Sequence, residues 1–582
     1  MSREIRFSVP LVVTALISLL AVADGAKRPA ARWASYDLPQ VATINKRMID
    51  SWKEWEIKPS QNATEGEWCR RVYLDVIGRI PTVSELYAFT KSKDKSKKRT
   101  LVNRLLYDER YTEEYARNWT TVWTNVLIGR SGGTERNSLT SREGMQKYLR
   151  DCFARNKPYD RMVRELVAAV GSSKPGAENF NGATNFLAMK VNEEKGTLAT
   201  AATARIFLGL QVQCTQCHNH PFNEWKQQKF WEFNAFFRQT RALRRFRPGT
   251  RDVNSAELVD EDFGGEGTPQ TPGEAEIYYE QRNAVMLAAY PVFVDGREIA
   301  RSGFVEDANR RSLLADLMTS TNRTVDRETA TYLELAAANR LWGHFLGYGF
   351  TTPIDDMGPH NSPTHPELLN YLGLQFREAS YDLKQMAEWI TLSAPYGLSS
   401  QSNTTNVTLD DPLLGEDPKF SRFYLRQMRA EELYESLVAA TQADKNAASY
   451  EEQEKEKNKW LQQFTVAFGN DEGEEATIFN GTIPQALMMF NGDLIKKATS
   501  ADKGGFLSNL ANNRRIPNSR KIDFLFQAGL GRRPTDEEID RANRLLILRV
   551  QDEKGDINKG TIAAMQDVWW AILNSNEFII NH

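Results

Sequence analysis

Cysteine and histidine are scarce in this chain of 582 residues, which has four Cys and six His. Four cysteines, Cys69, Cys152, Cys214 and Cys217, are too few to staple a fold of this length, so a disulfide scaffold is excluded. Surplus charge is missing too. Lys and Arg number 74 against 76 Asp and Glu, giving a formal net charge of −2. No basic excess is left to neutralise phosphates, so no nucleic-acid partner is expected. Past the N-terminal run no stretch is apolar enough to cross a bilayer, and no membrane span is expected in the mature chain. Gly-x-Ser-x-Gly, the P-loop and Gly-x-Gly-x-x-Gly are all absent, which removes the serine-hydrolase, nucleotide-hydrolysing and dinucleotide-binding signatures. No repeat of fixed period is found.

What is present starts at the N-terminus. Arg3 and Arg6 precede an apolar run from Val9 to Val22, and Ala21-Val22-Ala23 follows as a cleavage signature. This pattern reads as a secretory signal peptide over residues 1–23, cleaved near Ala23, with an uncleaved anchor as the alternative. The expected location is periplasmic or secreted. Export permits a Cys69–Cys152 bridge, and two buried free thiols are the other reading.

Composition is that of a globular protein, 41% hydrophobic and 26% charged. The length exceeds the roughly 250–300 residues at which single cores stop growing. Apolar residues recur three and four apart through most of the chain, as at Leu101, Leu105 and Leu106 and at Tyr115, Trp119, Val122 and Trp123. Residues 245–300 differ, being acidic and rich in Gly, Pro and Thr, with a short hairpin expected around Asp295-Gly296. The expected fold is mainly α. A lead-in over 24–60 precedes a first helical domain over 61–243. A linker and hairpin over 244–300 joins it to a second helical domain over 301–582. Thr364 is expected to cap the helix that begins at Pro366, with Glu367 completing a capping box. The run at 451–459 reads as a solvated helix face.

The sharpest chemical signature is Cys214-Thr215-Gln216-Cys217-His218. Cys-x-x-Cys-His is the attachment pattern of c-type haem. Two Cys on one helical turn can each form a thioether with a haem vinyl group, and the adjacent His218 can reach the iron as proximal ligand. The aromatics Phe222, Trp225, Phe230, Trp231, Phe233, Phe236 and Phe237 follow, either to wall a porphyrin or to pack as helix core. A zinc or copper site on Cys214, Cys217, His218 and His220 is the main alternative. A dithiol redox motif and a plain disulfide are two others. For a distal ligand the candidates are His344, His365 and His582 in the second half, with His360 and Met357 as further options. His220 is poorly placed for the far face of the same ring. Asp355 and Asp356, with His360 and His365, form the densest polar cluster elsewhere and read either as a carboxylate–histidine site or as loop caps. Docking of the C-terminus is expected from the apolar Phe578, Ile579 and Ile580 before His582. His344, between Trp342 and Phe345, is expected to need a partner if buried.

At these motifs the chain resembles the paired planctomycetal domain-of-unknown-function families 1549 and 1553. The first half is similar to the former through "RRVYLDVIGRIPTVSEL" (70–86), "RLLYDERYTEEYARNWTTVW" (104–123), "KPYDRMVRELVA" (157–168) and "IFLGLQVQCTQCHNHPFNEWKQQKFWEFNAFF" (206–237). The second is similar to the latter through "RRSLLADLMTSTNR" (310–323), "ANRLWGHFLGYGFTTPIDDMG" (338–358), "SPTHPELLNYLGLQF" (362–376), "RQMRAEELYESL" (426–437) and "DVWWAILNSNEFIINH" (567–582). The resemblance implies an exported protein with haem c, often encoded beside secreted sulfatases and polysaccharide-degrading systems, and no settled reaction. It carries Cys214, Cys217, His218 and His220 in one motif, and His344, Asp355, Asp356, His365 and His582 in the others. Many relatives have a separate N-terminal cytochrome module that is not seen here, which implies a redox partner protein. The expected role is redox, either electron transfer or haem-assisted oxidation of a carbohydrate-related substrate. The alternative is a metal-binding or scaffold protein of a polysaccharide-processing apparatus.

Overall fold

The computed structural model describes residues 33–442 and 488–582, with short gaps at 193, 223–224, 268–270, 321–327, 491, 502–505 and 514; between 443 and 487 it describes 459–461 and 463. The expected signal peptide, the start of the lead-in and most of the charged run at 451–459 lie outside the described residues.

The fold is mainly α, with small sheets. Leaving single turns unlabelled, the first half contains α1 (Pro39–Glu54), α2 (Glu65–Ile77), α3 (Val83–Lys91), α4 (Lys97–Tyr107), α5 (Glu109–Ile128), α6 (Arg142–Ala154), α7 (Tyr159–Ala168), α8 (Thr197–Thr203) and α9 (Gln227–Asn234). The second half adds α10 (Arg310–Thr319), α11 (Tyr332–Leu346), α12 (Pro366–Glu378), α13 (Leu383–Thr391) and α14 (Ala430–Thr441). Near the C-terminus come α15 (Asp493–Ala498), α16 (Phe506–Ala511), α17 (Asn518–Leu530), α18 (Asp536–Asp552) and α19 (Ile557–Leu573). Helix α12 begins at Pro366 as expected, but its N-cap is His365 and no side chain caps it. Thr364 instead bonds the His365 ring, and Glu367 pairs with Arg47 of α1.

The stretch expected as a linker carries more strand than its composition suggests. β1 (Gly171–Ser172), β2 (Thr240–Phe246) and β3 (Val253–Asp260) form an antiparallel sheet in the order β1-β3-β2, with a bulge at Arg245/Phe246. β4 (Ile277–Glu280) and β5 (Met286–Ala289) form a hairpin. The expected turn at Asp295-Gly296 is also present, closed by Phe293 N–H donating to the Arg297 carbonyl at 2.8 Å. Phe263, Ala275, Ile277, Tyr279 and Ala289 make a small core on Ala235. Buried Arg310 pins that core by donating to the Ala235 and Ala275 carbonyls at 3.1 and 2.7 Å.

Hydrophobic packing does not follow the two halves of the chain. The larger core runs from Val41 to Tyr424 and includes α10 to α13. The smaller core unites Met428 to Ile579 with Leu74 of α2 and Ile80. Helix α2 therefore faces both cores, and its "RRVYLD" segment forms a clasp. Arg70 donates to the Gly529 and Phe578 carbonyls at 3.0 and 2.6 Å. Arg71 donates to the carbonyls of Tyr396, Leu398 and His582 at 2.5, 2.9 and 3.2 Å, and its guanidinium lies 3.5 Å over the Phe423 ring. Fully buried Asp75 pairs with Arg426 and accepts from the Tyr396 hydroxyl at 2.7 Å and the Asn581 amide at 2.8 Å. Above it, β6 (Arg426–Gln427) pairs with β7 (Ile580–Asn581). The C-terminus is docked, with Phe578 and Ile579 buried; each contributes roughly 1.5–3 kcal/mol of apolar burial.

One internal echo has no fixed period. Gly78-Arg79-Ile80-Pro81-Thr82-Val83-Ser84-Glu85 and Gly531-Arg532-Arg533-Pro534-Thr535-Asp536-Glu537-Glu538 build the same turn. Each glycine ends a helix in the left-handed region, φ +78° and +71°. Each Thr and its Glu form a capping box on the next helix. Each Arg joins that Glu to a second one, Glu114 or Glu577. The second turn packs on the start of α2, where a Cβ on Gly66 would come within 2.1 Å of the Gly531 carbonyl oxygen.

Candidate functional site

The chain reaches the Cys-x-x-Cys-His motif through α8, which continues as a π-helical turn, Ala204–Leu208, ending at Gly209. Such turns often mark functional sites in helices. Gly209 has φ +67°, and a Cβ there would meet the Met357 methyl at 2.3 Å. Its carbonyl accepts from Met357 N–H at 2.7 Å. The loop after α11 is thereby fastened to the segment leading into the motif. Gln211 adds a bond to Asp355 at 3.0 Å, and Arg205 stands 3.5 Å from the same carboxylate.

The motif is a tight 3-10 turn, Gln213–Gln216, with Cys217 closing it, rather than a full α-helical turn. It stands at the surface with both Cys214 and Cys217 exposed as free thiols. Its floor is fixed. Thr215 is buried and donates to the Val212 carbonyl at 2.6 Å. The Gln216 carbonyl accepts from Gln227 Nε2 and Trp231 Nε1, each at 3.1 Å, and Asn219 Oδ1 accepts from Gln227 N–H at 3.0 Å. Partial burial, with the Asp356 charge adding to it, pushes the Cys214 thiol up.

The two neighbouring histidines differ in tautomer. His218 Nδ1 lies 2.7 Å from the Asn219 carbonyl. A carbonyl can only accept, so Nδ1 carries a proton and Nε2 is the nitrogen left to present a lone pair. His220 is reversed: its Nδ1 accepts from Phe222 N–H at 3.2 Å, which leaves the proton on Nε2. Burial first, and then His360, hold His220 below the ordinary imidazole range. The His220 and His360 rings lie 5.1 Å apart, and His360 Nε2 bonds Asp356 at 3.1 Å. His360 and Asp356 are thus the second-half groups that the fold sets beside the motif.

The other candidates are engaged elsewhere. His344 packs half-buried against Trp119 and donates from Nε2 to the Asp75 carbonyl at 3.2 Å, so its partner is a carbonyl. His365 sits among Trp55, Phe350 and Phe420, bonded to Thr364 at 2.9 Å. His582 donates from Nδ1 to the Ile580 carbonyl at 3.2 Å. Met357 packs on Gly209. Of the aromatics after the motif, Phe230, Phe233, Phe236 and Phe237 are core, Trp225 and Trp231 are half-buried, and Phe222 is 77% exposed. Cys69 and Cys152 are buried and free.

Among the described residues, no group of three or more His, Cys, Asp and Glu side chains is arranged to hold a metal ion, and no helix is long and apolar enough to cross a membrane. Arg205, Gln211, Arg340 and Gln227 were not singled out by sequence. Polar residues inside helical patterns read as solvated faces, and only the fold brings them to one place.

Two family models match the chain: PSCyt2, protein of unknown function (DUF1549), over residues 43–242, and PSD1, protein of unknown function (DUF1553), over residues 310–476. No curated protein and no solved structure matches it. The chain therefore belongs to the proteins that join these two families, the first in its N-terminal half and the second in its C-terminal half.

Proposed function

We propose that this is an exported c-type-haem-binding protein with a redox role. Cys214 and Cys217 would hold the haem through thioethers, and His218 would be the proximal ligand through Nε2. When bound, the group would supply a one-electron couple. The single observation that carries the reading is the 2.7 Å approach of His218 Nδ1 to the Asn219 carbonyl, from which the tautomer follows. A ligating imidazole keeps its other nitrogen on a hydrogen-bond acceptor, which orients the ring and raises its basicity. Asn219 provides that acceptor at 2.7 Å, while His220 is held in the opposite tautomer. Exposure of both thiols leaves them open to the attachment chemistry.

The remaining roles fall to this chain's own residues. Thr215, Gln227 and Trp231 hold the turn rigid. Phe222 offers exposed apolar surface two residues beyond His220. His360, paired with Asp356, stands beside the motif as a polar group from the second half. A redox partner protein or a carbohydrate-related substrate would meet the site from solvent, after signal-peptide cleavage near Ala23. The test is expression with a c-type maturation system, followed by a haem-peroxidase stain on a denaturing gel. The expected result is a stained band lost in the Cys214→Ala, Cys217→Ala double variant. An unstained band that carries zinc or copper by elemental analysis would favour the metal reading instead.

A further inference from the structure

Next to the motif, a half-buried guanidinium has no acceptor on its buried Nε among the described residues. Arg340, on α11, has its closest carboxylate oxygen among the described residues, on Asp355, at 3.9 Å. Charge-assisted N–H···O bonds run at about 2.7–2.9 Å, so this contact is an ion pair without a direct hydrogen bond. Arg340 Nε is buried and has no partner among the described residues. The same carboxylate also serves Arg205 at 3.5 Å and Gln211 at 3.0 Å. Asp355 is therefore shared among three donor groups.

A second unsatisfied donor lies behind Arg340. Tyr159, at the start of α7, is 1% exposed, and its hydroxyl has no partner among the described residues. Arg340 lies close enough for its charge to act on that hydroxyl. A buried polar group without a partner is costly, so two at one place point to an acceptor that the described protein atoms do not supply. The local backbone agrees with a built site. Arg205 is delivered by the π-helical turn, and Gln211 stands three residues before Cys214.

We propose that Arg340 and Arg205, backed by Tyr159, form an oxyanion subsite at the edge of the Cys-x-x-Cys-His turn, which takes a carboxylate. Two sources share that chemistry: a propionate of a haem held at Cys214 and Cys217, and the carboxylate of a soluble small molecule. The first rests on the haem reading above and the second does not. Guanidinium suits either, because its planar fork binds carboxylate in a bidentate manner and stays charged.

The experiment compares wild type, Arg340→Gln, Arg340→Lys and Arg205→Gln, each with and without maturation, with near-UV circular dichroism confirming the fold. In matured protein, a propionate on Arg340 predicts a shifted propionate bending mode in the resonance Raman spectrum of Arg340→Gln. It also predicts a lower midpoint potential, because a positive charge beside the haem has been lost. Arg340→Lys should restore the potential in part. Arg205→Gln, at a more exposed site, should shift both readouts in the same direction and serves if Arg340→Gln misfolds. In unmatured protein, acetate titrated against tryptophan fluorescence tests the second source. Saturable binding that Arg340→Gln weakens at least tenfold, without any shift in the matured protein, assigns the subsite to a soluble carboxylate. If no haem attaches, the haem reading fails and the acetate arm alone decides the subsite. Absence of acetate binding together with unchanged Raman and potential values in both Gln variants overturns the subsite.

Discussion

Replacing Asp75 by Asn removes one negative charge from a carboxylate that is 0% exposed and holds the two cores together. Its partner Arg426, with a side chain 9% exposed, would keep its positive charge without that carboxylate. Breaking a buried pair from one side costs about 3–5 kcal/mol, because the remaining ion is left uncompensated. The amide can accept from Tyr396 or Asn581, so Asp75→Asn should sit at the lower end of that range. Asp75→Ala deprives both donors and should exceed it. Since Asn581 lies in β7, the loss should also release the last strand from β6. Urea unfolding followed by tryptophan fluorescence measures the first effect. Carboxypeptidase digestion under native conditions measures the second: wild type should resist, and Asp75→Asn should lose Asn581 and His582. An exposed pair is the control. Glu537 and Arg541, both 71% exposed, should matter by no more than about 0.5 kcal/mol. A cost below about 1 kcal/mol for Asp75→Asn, with an undigested C-terminus, would refute the clasp.

Other outcomes follow from the same structure. Gly209→Ala forces a side chain into φ +67° and against Met357, and should cost about 1–3 kcal/mol by thermal unfolding while loosening the 354–361 loop to proteolysis. His344 and His365 are pushed down to about 3 by burial, so both are neutral in the folded protein while the unfolded chain takes up protons below about pH 6.5. Their contribution is fully present above that pH and declines as the pH falls toward 3, by about 1.4 kcal/mol per pH unit for each residue; urea midpoints across pH 4–7 should show the slope, reduced in His344→Gln. Burial drives the Cys69 thiol far up and the Cys152 thiol to about 11, so native alkylation of the unmatured chain should label Cys214 and Cys217 and spare the other two by peptide mass spectrometry.

Much of the helical frame was legible in the sequence, because the three-and-four spacing of apolar residues survives in α1, α5 and α11. Docking of the C-terminus followed from Phe578, Ile579 and Ile580 in the same way. The sheet was not legible. β3 has no clean alternation of buried and exposed residues, and its partner β2 reads as a polar, arginine-rich end of a helix. The paired turns at Arg79 and Arg532 were missed because a search for a fixed period does not detect one repeated segment. Within the candidate site, Cys214, Cys217 and His218 stand out by spacing alone. The histidine beside them from the second half is His360, while His344, His365 and His582 bond elsewhere. That choice depends on how the loop after α11 folds back through Gly209 and Asp355, which no local pattern encodes.

The most direct test of the account is the pyridine haemochrome spectrum of the matured, acid-acetone-extracted protein, together with the mass of the tryptic peptide spanning residues 214–218. The account predicts that haem stays with the protein after extraction. It also predicts a spectrum of the two-thioether type and one peptide carrying haem across Cys214 and Cys217. Loss of all colour on extraction, with an unmodified 214–218 peptide from a folded protein, would contradict it.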